Sequence, residues 1–124
     1  MYFMYYIYLI NKSVILTFLY DIIYLGDTMK VITICGSLKY EADMKLIAEK
    51  FALEGNCVLT PVFPVSEDIK ISKEQMNYLK EAHFKRIEIA DEIYVVNKDG
   101  YIGDSTKLEI EYATKLNKVI RYYE

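Results

Sequence analysis

Apolar and polar positions follow two alternating kinds of periodicity from Lys30 onward. Short apolar runs rich in β-branched residues predict four strands, at residues 31–35, 57–60, 93–96 and 119–123. Between them, apolar residues recur every three or four positions and predict helices, over residues 44–53, 76–90 and 105–116. Strands that alternate with helices favour a parallel sheet with right-handed crossovers. We therefore predict an α/β fold, a Rossmann-like (flavodoxin-like) three-layer sandwich.

Turn and cap residues mark the predicted boundaries. Gly36 and Ser37 end the first strand, and Gly55 stands where the first helix should stop. Ser72 and Gln75 match a capping box at the start of the next helix. Residues 62–71 contain a proline and mixed charges, which predicts a loop able to cover a site.

The first 28 residues differ from this pattern. They are largely apolar, and Lys12 and Asp21 interrupt them before any run reaches the ~18 apolar residues of a membrane span. No cationic start or small-residue cleavage site supports a secretory signal. Their composition is the one AT-rich DNA encodes by default, and Leu25 to Met29 can be encoded with a ribosome-binding GGAG upstream of ATG. We expect residues 1–28 to be a mis-annotated leader outside the fold and residues 29–124 to form one domain. A membrane-associated segment is the alternative.

Composition narrows the classes of function. The length of 124 residues fits one domain. A net charge of −3 without Lys or Arg runs gives no footprint for a nucleic acid polymer. Cys35 and Cys57 lie in apolar strand-like runs, which predicts reduced core residues of a cytoplasmic protein. Because there is one histidine and no Cys/His cluster with metal-ligand spacing, we expect no metal and no other cofactor.

The carboxyl ends of the strands carry the candidate chemistry, since ligands of parallel sheets bind there. Gly36 and Ser37 follow the first strand, where they either cradle a phosphate or form a capped turn. Asn97 follows the third strand and is succeeded by a glycine-containing loop. Gly100 and Gly103 make that loop flexible, and Asp104, Ser105 and Thr106 are candidates for the N-cap of the last helix.

Glu109 is the strongest single candidate. It lies one turn into the last helix, beside Tyr112 on the helix surface, where one face must be buried. A carboxylate in that place needs a partner or a catalytic task. Glu111 points to another side and is a solvated residue. His83 lies near the core face of the preceding helix, and its pattern alone favours a core histidine.

Three segments resemble one known group, namely ICGS at residues 34–37, IADEIYVVN at 89–97 and STKLEIEYA at 105–113. The chain resembles the nucleoside 2-deoxyribosyltransferase superfamily, which includes the 2′-deoxynucleoside 5′-phosphate N-hydrolases. The similarity covers essentially residues 29–124. The last segment is similar to the family's Glu-Leu-Gly-Tyr-Ala block, whose first residue is the nucleophile. That role therefore falls on Glu109.

The resemblance implies a retaining displacement, in which Glu109 attacks the anomeric carbon and the base leaves. The family's proton-transfer Asp stands eight residues before the Ala-Asp that opens the next strand, and this position is His83 here. Imidazole also donates protons near neutral pH. The family's first-strand Tyr, which contacts the nucleophile, is Thr33 here. Asp104 would suit a sugar hydroxyl, and Ser105 with Ser37 would suit a 5′-phosphate, so both remain open.

We therefore expect an enzyme that cleaves or transfers at the N-glycosidic bond of a nucleoside or nucleoside 5′-monophosphate. Its substrate-contacting residues would be Gly36, Ser37, Asn97, Gly103, Asp104, Ser105 and Tyr112. The resemblance also implies a homodimer or larger homo-oligomer, and no membrane partner is expected if Met29 is the start. The alternative is a non-catalytic nucleotide-binding module, which Thr33 favours.

Overall fold

The computed structural model describes residues 2–25 and 29–124. The first element is helix α1 (Tyr2–Leu25), whose described side chains are exposed. None of the helices in the described ranges combines the length and apolar character that crossing a membrane requires. The predicted boundary at Met29 adjoins residues 26–28, which lie outside the described residues. That residues 1–28 are a mis-annotated leader stays a prediction. The intact mass of protein made from the native gene would test it.

Four strands form one parallel sheet in the order β2-β1-β3-β4. The strands are β1 (Val31–Gly36), β2 (Cys57–Leu59), β3 (Glu92–Val96) and β4 (Val119–Tyr122). Their β-branched and aromatic residues suit extended backbone, and the central strands β1 and β3 are apolar because both faces are covered. The prediction of an α/β Rossmann-like sandwich with a parallel sheet is confirmed.

Three helices accompany the sheet, α2 (Glu41–Leu53), α3 (Lys73–Ile89) and α4 (Asp104–Lys115). The predicted capping box of α3 is confirmed: Gln75 N donates to Ser72 Oγ at 3.1 Å, and Ser72 N donates to Gln75 Oε1 at 2.9 Å. The expectation of a side-chain cap on α4 is wrong. Gly103 is its N-cap residue and no side chain caps the helix, so Asp104 is already helical.

Strand alternation divides the core between the two faces of the sheet. Ile32 and Ile34 of β1 pack with residues of α2, including Met44. Cys35, the next residue along β1, packs on the other face with Ile87 of α3 and with a residue of α4. The three layers are therefore α2, the sheet, and the pair α3 and α4. Successive side chains of β1 therefore contact different helices, one set facing α2 and the other facing α3 and α4.

Four apolar positions of the predicted helical stripes are exposed instead of buried, namely Leu53, Met76, Leu79 and Ala82. Leu53 was expected in the buried stripe of α2 but is exposed, since it lies in the last turn of the helix. Met76 in the first turns of α3 is also exposed. It lines a cavity instead of the core, because this end of α3 extends over the carboxyl edge of the sheet.

Candidate functional site

A cavity of about 760 Å³ opens at the carboxyl edge of the sheet. Its walls come from the turn after β1, the loop between β2 and α3, α3 itself and the start of α4. The strand order puts the switch in crossover direction between β1 and β3, and Gly36 at the carboxyl end of β1 lines this cavity. Ligands of open parallel sheets bind at such switch points, and the volume suits a small organic molecule.

Three side chains that are distant in sequence meet at the base of this cavity, and we call them the Cys35–His83–Glu109 cluster. Cys35 Sγ lies 3.6 Å from His83 Nε2. Glu109 Oε2 lies 3.5 Å from the same nitrogen. The three donor atoms all lie within 4.8 Å of one another. His83 and Glu109 line the cavity, whereas Cys35 is fully buried.

The convergence follows from the periodicity of three elements. Cys35 is on the face of β1 that packs against α3 and α4. His83 and Ile87 are one helical turn apart and are both buried, so His83 continues the inner face of α3 toward the cavity. Glu109 precedes the buried Ala113 by one turn on the inner face of α4. Each side chain therefore reaches the same point from a different element.

Two buried polar atoms of this cluster, His83 Nδ1 and Glu109 Oε2, have no hydrogen-bond partner among the residues that the structure describes. The side chains of His83 and Glu109 are only 9% and 15% exposed. Their 3.5 Å approach permits attraction when the imidazole is protonated but does not form a hydrogen bond. Buried polar atoms without partners are rare and concentrate at sites of function.

Burial raises the pKa of the Cys35 thiol well above its ordinary value, and the neighbouring Glu109 carboxylate raises it further. The neutral thiol is therefore the stable form at physiological pH. Because the thiolate is the nucleophilic form of cysteine, Cys35 is unsuited to nucleophilic attack in this environment. Glu109 is the residue of the cluster that has both access to the cavity and nucleophilic oxygens.

Five of the predicted substrate-contacting residues line the cavity, namely Gly36, Ser37, Gly103, Asp104 and Ser105. The packing at the end of β1 leaves little room for a side chain at Gly36. A Cβ on Gly36 would lie 3.1 Å from the carbonyl oxygen of Val96 and 3.3 Å from its Cβ. The absence of a side chain therefore lets the ends of β1 and β3 approach closely beside the cavity.

Residues at the start of α4 line one side of the cavity. No side chain caps this helix, and the first N–H groups of a helix have no partner within it. Ser105 and its neighbours therefore present free donors beside the cavity, together with the positive end of the helix dipole. At the other wall, Ser37 caps a short 3₁₀ turn, Leu38–Tyr40, so the α2 N-terminus begins farther away at Glu41.

Asn97 and Tyr112 are not among the residues that line this cavity. The Asn97 amide donates to the carbonyl oxygen of Glu124 at 3.1 Å, and its oxygen accepts from Glu124 N at 2.9 Å. Tyr112 packs edge to face against Phe84 and donates its hydroxyl hydrogen to Glu88 Oε1 at 2.6 Å. The contacts of Asn97 and Tyr112 join parts of the fold to one another.

Sequence reasoning placed Cys35 in the core and missed its membership of the cluster. The available signal was its position, one residue before Gly36 and on the opposite face of β1 from Ile34. Tyr101 was also missed. It lines the cavity, and Lys39 Nζ lies 3.2 Å from its ring centroid, a cation–π contact.

Comparison with known proteins assigns no relationship: no protein-family model matches this chain, and no curated protein matches it.

Proposed function

We propose that this chain cleaves or transfers at the N-glycosidic bond of a nucleoside or nucleoside 5′-monophosphate. The observation that supports this function best is the pair formed by Glu109 and His83. A carboxylate oxygen and an imidazole nitrogen lie 3.5 Å apart at the carboxyl edge of a parallel sheet, and both residues line a cavity of ligand size. The resemblance to nucleoside 2-deoxyribosyltransferases assigns the nucleophile to the same glutamate.

In the proposed reaction, a Glu109 oxygen attacks the anomeric carbon of the sugar as the bond from that carbon to the base nitrogen breaks. His83 donates a proton to the departing base. The covalent glycosyl ester is then attacked at the same carbon by water, which gives hydrolysis, or by a second base, which gives transfer. The short distance between His83 and Glu109 suits this pairing, because both act on atoms of the same glycosidic bond.

The α4 N-terminus supports an anionic or hydroxyl-bearing sugar substituent in the same cavity. Its free amides and the Ser105 hydroxyl are donors for a 5′-phosphate. The Asp104 side chain is fully exposed and would instead accept from a 5′-hydroxyl after turning toward the ligand. Both substrate forms therefore belong to the proposal.

A non-catalytic nucleotide-binding module is the second candidate, and Thr33 favours it. Thr33 is fully buried, and its hydroxyl donates to the carbonyl oxygen of Arg86 at 2.8 Å. It fastens α3 to β1 and so does not supply the hydroxyl contact to the nucleophile that the family's Tyr would supply. A site that lacks this contact retains ligand binding and loses turnover.

Base release from a panel of nucleosides and 5′-monophosphates tests the proposal. We expect wild-type protein to release free base, and Glu109→Gln to reduce kcat/KM by about 10³-fold or more, because the covalent intermediate needs the carboxylate. Glu111→Gln is the matched control, since Glu111 is exposed and paired with Lys115 on the same helix. Its rate should stay within about twofold of wild type.

Three outcomes separate the candidates. A glycosyl adduct on Glu109, detected by mass spectrometry after rapid quenching, would establish the nucleophile. Ligand binding without base release from any member of the panel would favour the binding module. Base release that survives Glu109→Gln would contradict the assigned mechanism. The homo-oligomer implied by the resemblance stays a prediction, which light scattering of the purified protein would test.

A further inference from the structure

The Cys35–His83–Glu109 cluster presents three different donor atoms to one point. Both short distances, 3.6 Å from Cys35 Sγ and 3.5 Å from Glu109 Oε2, end at the same nitrogen, His83 Nε2. In a relay of the Ser-His-Asp type, the nucleophile and the carboxylate would contact opposite ring nitrogens. Here the second ring nitrogen, Nδ1, has no partner among the described residues. The three donor atoms are therefore arranged around one point and not along a proton relay.

The spacing matches the ligands of a tetrahedral metal ion. Zinc binds sulfur at about 2.3 Å and nitrogen or oxygen at about 2.0–2.2 Å, which puts neighbouring ligand atoms about 3.3–3.6 Å apart. The two distances measured to His83 Nε2 fall at this spacing. The third pair, sulfur and carboxylate oxygen, is within 4.8 Å, and rotation of the Glu109 side chain can shorten it.

Burial supports a ligand at this point. The unpartnered Oε2 of Glu109 is the oxygen that lies nearest to His83 Nε2, so the orphaned atom belongs to the ligand set. Cys35 lies beneath the cavity, whereas His83 and Glu109 border it. An ion among the three would have protein on one side and the cavity on the other. The fourth coordination position would then be open, as it is in catalytic zinc sites.

We propose that Cys35, His83 and Glu109 bind a zinc-type transition-metal ion, with the fourth ligand position facing the cavity. Sulfur and imidazole nitrogen favour zinc, cobalt or copper over magnesium or calcium, which prefer oxygen ligands. Binding forms one metal–sulfur, one metal–nitrogen and one metal–oxygen bond, and the thiol proton passes to solvent. No electron transfer is involved.

The metal site has a consequence that depends on the proposed function. Coordination through Oε2 would withdraw negative charge from the Glu109 carboxylate and so weaken it as a nucleophile toward an anomeric carbon. Metal binding would therefore inhibit base release. The existence of the site does not depend on that reaction, because its three ligands come from the geometry alone.

Cobalt provides the test, because a thiolate bound to Co²⁺ gives a charge-transfer band in the near ultraviolet. The tag-free full chain is treated with a chelator, freed of it, and titrated with Co²⁺. We expect a band that saturates at one ion per chain and that disappears when excess Zn²⁺ is added. Absence of the band in folded wild-type protein would overturn the proposal.

Cys57 offers a matched control, since it is the second free cysteine and lies on β2. Cys57→Ser should keep the band and Cys35→Ser should lose it, with circular dichroism verifying the fold of each. A band that follows Cys57 instead would refute the site. If Cys35→Ser does not fold, Glu109→Gln keeps the thiol and should weaken Co²⁺ binding by about tenfold or more. Unchanged affinity in Glu109→Gln would also refute it.

The two proposals fail separately. The cobalt spectrum needs no substrate, so failure to release any base leaves the metal proposal supported by the spectrum. If base release is found, stoichiometric Zn²⁺ should abolish it and a chelator should restore it. Base release that continues while the cobalt band shows a saturated site would contradict the shared use of Glu109.

Discussion

Buried carboxylates at the two edges of the sheet differ in how they are neutralised. At the amino edge, Glu92 accepts from Arg121 through Nε at 2.8 Å and through Nη2, and its other oxygen lies 3.3 Å from Lys30 Nζ. At the carboxyl edge, Glu109 has an imidazole neighbour at 3.5 Å and an oxygen without a hydrogen-bond partner among the described residues. Both acids are largely buried, and only the first is compensated.

The two edges of the sheet therefore have different roles: the amino edge stabilises the fold, and the carboxyl edge carries the candidate chemistry. Asp91 joins Glu92 at the amino edge, where its carboxylate accepts from Val31 N at 2.8 Å and ties β1 to the start of β3. Compensated charges of this kind hold the sheet together, whereas the uncompensated Glu109 retains its capacity to bind or react.

Removing the cation that neutralises Glu92 at the amino edge should have the largest effect on stability. Arg121→Met leaves the Glu92 carboxylate 5% exposed with Lys30 as its remaining cation. We expect the free energy of unfolding to fall by about 3 kcal/mol, because the charge stays buried while its best partner is lost. Urea unfolding of the variant and of wild type measures this change.

Lys115→Met is the matched control for that loss, because it removes a cation from the exposed pair with Glu111. Its effect should stay within about 0.5 kcal/mol, as for other exposed ion pairs. Equal losses in the two variants would mean that the buried pair of Arg121 and Glu92 stabilises the fold no more than an exposed ion pair does.

The Cys35 thiol should make the carboxyl edge sensitive to alkaline pH. Burial and Glu109 raise its pKa in the folded protein above the ordinary value of about 9. Its contribution to stability is therefore complete below that ordinary value and is lost as the pH rises toward the folded pKa. Above about pH 9, wild type should lose up to about 1.4 kcal/mol per pH unit more than Cys35→Ala.

Urea unfolding across this pH range measures the slope. Cys57→Ala should keep the wild-type slope, since Cys57 is the half-buried cysteine of β2. A wild-type slope equal to that of Cys35→Ala would show that the cluster does not disfavour the thiolate.

Removing the uncompensated charge should have the smallest effect, and one of opposite sign. Glu109→Gln keeps the side-chain volume and removes a buried charge whose oxygen lacks a hydrogen bond. We expect a gain of about 1 kcal/mol in the free energy of unfolding, together with the loss of function described above. Thermal or urea unfolding measures it, with Glu111→Gln as the neutral control. A clear loss of stability in Glu109→Gln would show that Glu109 holds the fold together.

The sheet was predictable because each strand carries its signal locally. The run from Val31 to Cys35 is β-branched and is followed by Gly36, and the other strands have similar punctuation. The capping box of α3 was equally local, since Ser72 and Gln75 are three residues apart. The cap of α4 was predicted wrongly, because Gly103 takes that position without a side-chain contact and leaves the amides free.

The candidate site was predictable only in part, because its members meet through tertiary packing. Glu109 and His83 came from a resemblance in motif and spacing, and the structure places them side by side. Cys35 was missed, because a cysteine in an apolar strand is usually a core residue and nothing local shows what faces it. Asn97 follows β3 and Tyr112 lies on α4, both near the predicted site, but their contacts lie within the fold and not at the cavity.

The loop of residues 60–72 forms one wall of the cavity and belongs to neither the sheet nor the helices. It contains no helix or strand, yet Pro61, Val62, Pro64 and Ile71 all border the cavity. Loop-closure entropy changes slowly with length, so insertions and substitutions here cost the sheet little. Descendants of one ancestral gene can therefore diverge in the molecules they accept while inheriting the same scaffold. Laboratory selection for a new ligand would randomise this loop first.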